Sequence, residues 1–210
     1  MVSHGSPIHA SAAGRPRGFD ETKALKRAMD VFWTKGYPGT SYPDLEAATG
    51  LHRQSLRYAF GDKAGLFRRA VEHYTAGKLD VVVALLRRPG TAEGNILAVF
   101  DLWAFDARVT GRGCLMVNSL AEFGEAQGAA RPILAAANRR LLDSFSDAFR
   151  AAQAEGAVRA DLDPAILAAQ AVGLGDGLML HARVGGLGPD PAALLQAFLS
   201  MARAPPQPNG

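Results

Sequence analysis

The sequence is poor in the features that mark exported, membrane-bound and metal-dependent proteins. A single cysteine in 210 residues allows no internal disulfide, which is typical of a cytoplasmic protein. There is no unbroken apolar run of about 18 residues, and the N-terminus lacks a basic-then-apolar signal, so we expect neither a membrane span nor export. The five histidines show no ligand pairing with the cysteine, and we therefore expect no metal site and no cofactor.

Motifs for catalysis are also missing. The chain has no glycine-rich phosphate loop and no serine or cysteine nucleophile motif, so nothing in it specifies a reaction, and we expect that it is not an enzyme. An apolar content of 48% excludes general disorder. The length suffices for one large domain or two modest ones with a real core.

What the sequence does contain is a basic first third. Residues 1–70 hold 11 Lys and Arg against 6 Asp and Glu, whereas residues 71–210 hold 12 against 14. This division suits a module that binds a polyanion such as nucleic acid, joined to a region that does not. Ordinary scatter of surface charge would produce the same imbalance, so charge alone leaves both interpretations open.

Residues 36–66 predict two short helices, a tight turn between them, and the start of a longer helix. Thr40 or Ser41 can cap the first helix, because a hydroxyl there accepts hydrogen bonds from free backbone N–H groups. Gly50 follows at the position where a left-handed residue ends a helix at low steric cost. The chain then turns into a second helix that begins near His52 or Arg53.

The second helix has a polar, arginine-bearing face, and Asp62 can cap the next helix, whose first residue is Lys63. A helix, a glycine turn and a polar helix with arginines form the helix-turn-helix pattern. In that pattern the second helix lies in the major groove of DNA.

Together with the preceding helix, predicted from Phe19 to Lys35, this segment resembles the TetR/AcrR-type family of bacterial transcriptional regulators. The resemblance covers about a quarter of the chain. The residues that carry it, in order and spacing, are Phe32, Gly36, Tyr37, Thr40, Ser41, Leu45, Gly50, Leu51, Leu56, Phe60 and Lys63.

The segment departs from the family pattern at three points. His52 stands where a Ser or Thr cap is usual, and Thr49 replaces an alanine. Arg57 occupies the place of a tyrosine that contacts phosphate, with Tyr58 one residue later. Either Arg57 or Tyr58 could then hold a phosphate.

The resemblance implies an all-α fold with an N-terminal three-helix helix-turn-helix domain and a C-terminal helical domain for ligand binding and dimerisation. We place a disordered tail at residues 1–14, the DNA-binding domain at 15–62, the regulatory domain at 63–204 and a second tail at 205–210. The implied function is a ligand-responsive regulator, a repressor that binds a near-palindromic operator as a homodimer. The alternatives are a helical small-molecule-binding protein or enzyme with an incidental DNA module, and a nonspecific nucleoid-binding protein.

The resemblance also assigns the DNA contacts. Arg15 and Arg17 form a basic arm that would follow phosphates or enter a minor groove, or else belong to a solvated linker. The residues expected to face base edges are His52, Arg53, Gln54 and Ser55. Those expected to face phosphates are Thr40, Ser41, Lys63 and one of Arg57 and Tyr58.

Every later segment favours helix. Thr91 opens one helix, Pro132 falls in the first turn of another, and Asp163 caps a third with Pro164 at its first position. A ligand cavity needs large apolar and sulfur side chains with a few polar groups, although packed core is the alternative for each candidate. The candidates are Phe100, Trp103, Met116, Asn118, Phe123, Asp176, Met179 and His181.

Ala169, Gly173 and Gly177 recur every four residues and form a strip of small side chains. Since a glycine within a helix costs about 1 kcal/mol relative to alanine, the strip needs a reason. We expect close packing against a partner's helix in a four-helix dimer interface, as the resemblance implies. A kinked helix that opens toward a cavity is the alternative.

Gly113, Cys114 and the leucine after them resemble a segment found in many members of the same family, where the cysteine opens a helix. A helix N-terminus favours the thiolate, and Arg112 beside it would act in the same direction. Cys114 is therefore a possible sensor of electrophiles or oxidants, and a small residue that packs the helix end is the alternative.

Overall fold

A computed structural model describes residues 19–122, 125–186, 188 and 190–205, with the backbone alone for 125–127. In these residues the only extended pairing is an isolated bridge between Val158 and Arg203, and the predicted all-α fold is confirmed. The described helices are α1 (Glu21–Gly39), α2 (Tyr42–Thr49), α3 (Arg53–Phe60), α4 (Lys63–Leu86), α5 (Ala92–Thr110), α6 (Leu115–Ala121), α7 (Glu125–Ala154), α8 (Pro164–Arg183) and α9 (Pro191–Ala202).

Local capping contacts set the boundaries of α2, α3 and α4. Ser41, rather than Thr40, caps α2: its hydroxyl accepts the Asp44 N–H while the Asp44 carboxylate accepts the Ser41 N–H at 2.9 Å. Gly50 ends α2 in the left-handed conformation with φ of 72°. Asp62 caps α4 by accepting the Gly65 N–H at 2.8 Å. The predicted helix-turn-helix pattern is thus formed as expected.

The first three helices and the start of α4 share a small core, which we call the head. Leu45 of α2 and Leu56 of α3 are almost fully buried against α1 and α4. Phe32 of α1 meets Phe67 of α4 edge to face, with ring centroids 5.1 Å apart. Because α1 and α4 enclose the two short helices, the helix-turn-helix has the apolar cover that its own size could not provide.

The remaining helices form a bundle in which α4 packs on α5 and α7, and α7 packs on α8. A chain of aromatic rings runs through its centre. Phe100 of α5 lies 6.3 Å from Phe145 of α7 and 6.3 Å from Phe198 of α9, measured between ring centroids. Since α4 belongs to both the head and the bundle, one continuous hydrophobic core connects them.

Two helix boundaries differ from those predicted. α7 begins about two turns before Pro132, so this proline lies inside the helix instead of in its first turn. Gly128 is the residue four positions earlier, whose carbonyl a proline ring crowds within a helix. α1 extends past Lys35 to Gly39, but Gly36 within it is not helical, with φ of 71° and ψ of 170°.

By length and composition α8 could cross a membrane, with a mean hydropathy of 1.3. In the fold it instead packs against α5, α6, α7 and α9. Its Leu167, Ala168 and Leu178 lie in the core, while Asp176 and His181 interrupt the apolar sequence. Packing in the bundle therefore accounts for the buried face of α8.

Candidate nucleic-acid interface and ligand cavity

The polar face of α3 points away from the protein. Arg53, Gln54 and Arg57 are exposed, and Tyr58 keeps 80% of its surface accessible. His52 is also exposed and Ser55 is partly buried. The opposite side of the same helix carries the buried anchors, Leu56 and Phe60. This amphipathic arrangement leaves a row of hydrogen-bond donors free to meet DNA, and base contact by these residues stays a prediction.

The N-terminus of α3 is held by a residue of α2. His52 makes no side-chain capping bond, in keeping with its weakness as a cap. Instead, the Glu46 carboxylate accepts the Arg53 N–H at 2.5 Å, and the Arg53 guanidinium lies 4.2 Å from the centre of the Tyr42 ring. Sequence analysis missed Glu46 and Tyr42, because both act across the turn and no fixed spacing indicates their roles.

Two of the predicted phosphate contacts have structural roles in the head. The Lys63 ammonium donates to the carbonyls of Tyr37 (3.0 Å) and Thr40 (2.7 Å) and lies 4.2 Å from the centre of the Tyr37 ring. Thr40 is buried, and its hydroxyl donates to the Gly36 carbonyl at 2.6 Å. Both residues fix the turn between α1 and α2, and their contact with phosphate stays a prediction.

Of the remaining predicted phosphate contacts, Ser41 lies at the start of α2. It is exposed there, where Lys35 forms an ion pair with Asp44 at 2.5 Å. The Lys35 ammonium and Ser41 hold the pKa of the Asp44 carboxyl well below its usual range. Arg15 and Arg17 lie outside the described residues.

The head contacts the bundle through two hydrogen bonds between α1 and the ends of α6, a contact we call the α1–α6 junction. The Trp33 indole N–H donates to the Gly113 carbonyl at 3.2 Å. The Tyr37 N–H donates to the Glu122 carboxylate at 2.9 Å. Each bond joins residues at least 80 positions apart in the chain, so sequence spacing could not reveal the junction.

Two glycines allow this close approach. Gly113 has φ of 67°, and a Cβ there would lie 2.5 Å from the Met179 carbonyl oxygen of α8. Gly36 also has a positive φ, and a Cβ on it would overlap the Glu122 carboxylate. The positive φ disfavours a larger residue at both positions, and at Gly113 the Met179 backbone also excludes one sterically.

Ion pairs and an aromatic contact surround the junction. The Arg112 guanidinium lies 4.1 Å from the centre of the Trp33 ring and pairs with Asp30 at 3.1 Å. At the other end, Arg183 of α8 approaches the Glu122 carboxylate to 3.8 Å. The junction thus links α1 of the head to both α6 and α8.

A cavity of about 80 Å³, measured as space for the centres of water-sized molecules, opens between α1, α4, α5, α6, α7 and α8. Its walls are mainly apolar, with Trp33, Tyr74 and Trp103 as its aromatic members. Of the residues predicted to bind ligand, four line it, and Cys114 does so as well. These four are Trp103, Met116, Asp176 and Met179.

The other ligand candidates lie elsewhere. Phe100 is buried in the aromatic chain of the bundle. Asn118 is buried beside the junction, where its side-chain N–H donates to the Arg112 carbonyl at 2.9 Å, while its side-chain oxygen has no hydrogen-bond partner among the residues that the structure describes. His181 is exposed and lies 3.1 Å from the Gly186 carbonyl. Phe123 is outside the described residues.

Two carboxylates in the cavity have different environments. Asp106 forms an ion pair with Lys78 at 2.7 Å. Asp176 has no hydrogen bond or ion pair within the described residues, and burial raises the pKa of its carboxyl to about 6. No group of three histidine, cysteine or acidic side chains suited to a metal ion occurs in the described part of the chain.

Cys114 precedes α6 as predicted, but its surroundings oppose the thiolate. Burial raises the pKa of the thiol and outweighs the hydrogen bond that the Tyr74 hydroxyl donates to its sulfur at 3.4 Å. The Arg112 side chain is directed to Asp30 and the Trp33 ring. These contacts fit a packing role, and redox sensing by Cys114 stays a prediction.

The strip of small residues on α8 is open to solvent. Ala169 and Gly173 are exposed and Gly177 is partly buried, and no atom of the described residues would lie within 4 Å of a Cβ at either glycine. Gly175 differs, because the Trp103 ring occupies the place of a Cβ at 2.5 Å. The bundle itself therefore accounts for Gly175 but not for the other two glycines.

Two family models match the chain. Residues 24–70 match "Bacterial regulatory proteins, tetR family", and residues 92–198 match "Tetracyclin repressor-like, C-terminal domain". The second match alone spans half of the chain and covers α5 to α9.

Two curated relatives are similar in sequence. The HTH-type transcriptional repressor ComR of Escherichia coli (strain K12) is 33% identical over 124 residues, which are 57% of this chain and 58% of the relative. The uncharacterized HTH-type transcriptional regulator YezE of Bacillus subtilis (strain 168) is 37% identical over 111 residues, 52% of this chain and 57% of the relative. The chain thus spans little more than half the length of these relatives.

Solved structures match over nearly the whole chain. A cysteine variant of the TetR family transcriptional regulator CifR, complexed with 26-bp double-strand operator DNA, is 30% identical with a TM-score of 0.80, covering 90% of this chain and 100% of that one. Reduced NemR of E. coli is 17% identical with a TM-score of 0.76, covering 89% and 98%, and shares the fold. The exposed polar face of α3, the cavity within the helical bundle and both family matches lead to one conclusion: the chain belongs to the tetR family of bacterial regulatory proteins.

Proposed function

We propose that this protein is a ligand-responsive transcriptional repressor that binds a near-palindromic operator as a homodimer in the cytoplasm. One observation carries the proposal: the polar face of α3 is exposed on a head whose fold resembles that of a regulator solved with operator DNA. A helix presented in this way reads base edges in the major groove.

Arg53 is the residue that we assign to base recognition. Its backbone N–H is fixed by Glu46, and its guanidinium rests against the Tyr42 ring. A guanidinium held in this way loses less freedom on binding, and arginine to guanine is the commonest specific base contact. The exposed side chains of Arg57 and Tyr58 are then available for the phosphates on either side.

The dimer is proposed to form through α8 and α9. Ile166 and Leu180 expose 59% and 40% of their surfaces at spacings that place them on the same side of α8 as Gly173 and Gly177, and Val184, which follows the helix, exposes 80%. An apolar stripe with small residues at its centre suits close packing of two copies. A two-fold axis through this interface would present α3 twice, as a near-palindromic operator requires.

Control by ligand is proposed to act through the α1–α6 junction. Trp33 and Gly113 both line the cavity and are hydrogen-bonded to each other, so a molecule in the cavity would touch the contact that positions α1. A ligand that prefers a conformation with the two copies of α3 wrongly spaced lowers operator affinity by that preference.

A gel-shift titration tests the proposal. The full chain is mixed with the DNA upstream of its own gene and, separately, with a scrambled duplex of equal length and composition. We expect the upstream DNA to bind at least about a thousandfold more tightly at physiological salt. Equal affinity for both would identify a nonspecific nucleoid protein, and no shift of either would favour the small-molecule-binding protein or enzyme.

Sedimentation velocity tests the dimer. We expect the wild-type chain to sediment as a dimer and the Leu180→Glu variant to dissociate, because the substitution buries a charge in the interface. Leu120→Glu is the matched control, since Leu120 of α6 has a similar exposure, 44% against 40%, but lies off the α8 stripe. A wild-type monomer, or equal effects of the two variants, would contradict the proposed interface.

A further inference from the structure

We infer that the cavity binds a small organic cation, held by the Asp176 carboxylate among the aromatic rings of the lining. This cavity is the effector site of the proposed function, and the assignment of a cation as effector rests on that function. Ligand titration and the gel shift are separate measurements, so either can fail without the other.

The charges around the cavity leave one carboxylate without a counter-charge. Lys78 is paired with Asp106 at 2.7 Å, so these two lining charges neutralise each other. At the α1–α6 junction, Arg112 is paired with Asp30, and Arg183 approaches Glu122. Asp176 has no hydrogen bond or ion pair within the described residues, so the lining has a net charge of about −1 when it is ionised.

A carboxylate in an apolar cavity is unfavourable without a partner, because the apolar walls replace the water that would solvate it. The raised pKa of Asp176, which burial moves to about 6, agrees with this cost. A bound cation would remove the cost, whereas a bound anion would add a second unpaired negative charge. Among the described residues, the lining offers no unpaired positive group to hold an anion, because Lys78 is paired with Asp106.

The other polar side chains of the lining already use their hydroxyl protons. Thr75 donates to the Val71 carbonyl, Thr110 donates to the Asp106 carbonyl and Tyr74 donates to the Cys114 sulfur. A neutral polar ligand would therefore find few donors in the cavity. The strongest polar interaction on offer is the one that Asp176 makes with a positive charge.

The aromatic rings favour the same class of ligand. Trp33, Tyr74 and Trp103 line the cavity, and ring faces attract cations, with tryptophan the strongest. The Trp33 ring already makes one such contact, because the Arg112 guanidinium lies 4.1 Å from the centre of the ring. The volume corresponds to roughly five water molecules, which indicates a ligand of about that many heavy atoms, such as a short branched amine.

Isothermal titration calorimetry with three molecules of one carbon skeleton tests the inference. Isopentylamine, isopentanol and isovalerate carry positive, zero and negative charge, and at about pH 8 both the amine and Asp176 are in their charged forms. We expect the wild-type chain to bind the amine at least about tenfold more tightly than the alcohol, and the acid most weakly.

Two variants locate the effect. Asp176→Asn keeps the shape of the side chain and should bring amine affinity to within about twofold of alcohol affinity, with the alcohol unchanged. Asp101→Asn makes the same chemical change on the exposed side of α5 and should keep the full preference for the amine. An amine preference that survives in Asp176→Asn would overturn the role of Asp176.

The charge series in the wild-type chain decides the class of ligand without any variant. Binding of isopentanol or isovalerate as tightly as isopentylamine would overturn the cation class and leave the cavity as a ligand site. No binding of any of the three would overturn the inference, while a specific gel shift would still support operator recognition. A failed gel shift with an intact amine preference would contradict the proposed regulator and support the cation site.

Discussion

The head and the bundle differ in how their working surfaces are built. In the head, side chains cap backbone groups a few residues away, as Ser41 does for Asp44 and Asp62 for Gly65, and the polar surface of α3 faces outward. In the bundle, the cavity is assembled from residues on six helices, and its only carboxylate without a partner among the described residues is Asp176. The head is thus a local structure, whereas the cavity depends on tertiary packing.

This difference explains why the sequence indicates the helix-turn-helix more clearly than it indicates the cavity. A helix-turn-helix repeats the same spacing of caps, glycine and apolar anchors wherever it occurs, because its geometry is fixed by short contacts. A cavity has no such spacing, since its shape follows from whichever side chains meet there. The head and the bundle meet at the α1–α6 junction, and substitutions there test how strongly the two regions depend on each other.

The largest effect is expected at the junction itself. Gly113→Ala places a Cβ against the Met179 carbonyl and forces a positive φ on a larger residue. We expect the free energy of unfolding to fall by about 2–4 kcal/mol, measured by urea denaturation. Gly111→Ala is the control, because Gly111 also has a positive φ but open space around it, and it should cost about 1 kcal/mol. Equal losses would show that the close approach to α8 is unimportant.

The next largest effect is the contribution of Asp176 to the pH dependence of the free energy of unfolding. The folded-state pKa of Asp176 is about 6, above its ordinary value of 3.8. Between these values the folded chain holds a proton that the unfolded chain has lost, so this group destabilises the fold as pH rises and does so fully above about 6. Asp176→Asn should therefore raise the free energy of unfolding at pH 8 by on the order of 2–3 kcal/mol.

The gain from Asp176→Asn should shrink as the pH is lowered from 6 and vanish below about pH 3, where the carboxyl is protonated in both the folded and the unfolded state. Denaturation curves collected across this pH range give the result. The exposed Asp101→Asn substitution should leave stability nearly unchanged at every pH. If the gain in the free energy of unfolding did not depend on pH, its cause would be the packing of the asparagine amide and not the removed charge.

In the head, Arg53→Ala should reduce operator affinity by about 1–3 kcal/mol while affinity for scrambled DNA stays nearly the same. Removing a base contact lowers discrimination, whereas removing a phosphate contact weakens all sequences alike. Fluorescence anisotropy with both duplexes measures the ratio. Arg68→Ala removes an exposed arginine that pairs with Glu72 on α4 and should change neither affinity. If Arg53→Ala lowered the affinity for both duplexes equally, Arg53 would contact the DNA phosphates and not the bases.

The smallest effect is expected for the coupling between the cavity and the head, that is, for the change in operator affinity that a bound ligand causes. Trp33→Phe keeps an aromatic ring but removes the N–H that binds the Gly113 carbonyl. Isopentylamine should still bind, but its effect on operator affinity should weaken by about 0.5–1 kcal/mol. Glu122→Gln retains an oxygen to accept the Tyr37 N–H and should alter the coupling less. Unchanged coupling in Trp33→Phe would mean that the signal reaches α3 through α4.

Much of the fold follows from the sequence, because caps and glycines act over short distances. Ser41, Gly50, Asp62 and Asp163 end or begin helices as their residue types predict. Pro132 was misleading, since a proline inside a helix and one in its first turn look alike in sequence. The deciding factor there is tertiary packing, to which single-residue preferences contribute little.

The candidate sites were predictable only in part. The outward face of α3 follows from the four-residue spacing of its apolar anchors, Leu56 and Phe60, among polar residues. The use of Lys63 inside the head does not, because it depends on carbonyls of a distant turn. Phe100 and Trp103 are equally plausible cavity residues in sequence, and only the packing of α5 places Trp103 at the cavity. Gly175 must be small because the Trp103 ring lies against it, and this contact between two helices cannot be predicted from residue spacing.

The protein contains two tryptophans, Trp33 and Trp103, and both border the cavity, one on the head and one on the bundle. Tryptophan fluorescence, excited where the four tyrosines do not absorb, therefore reports on the walls of the cavity without any attached dye. A Trp103→Phe variant would retain one tryptophan, hydrogen-bonded across the two regions, so its emission maximum and quenching would follow movement of α1 directly. Stopped-flow recording of that signal could order the two events, cavity filling and head displacement, in time.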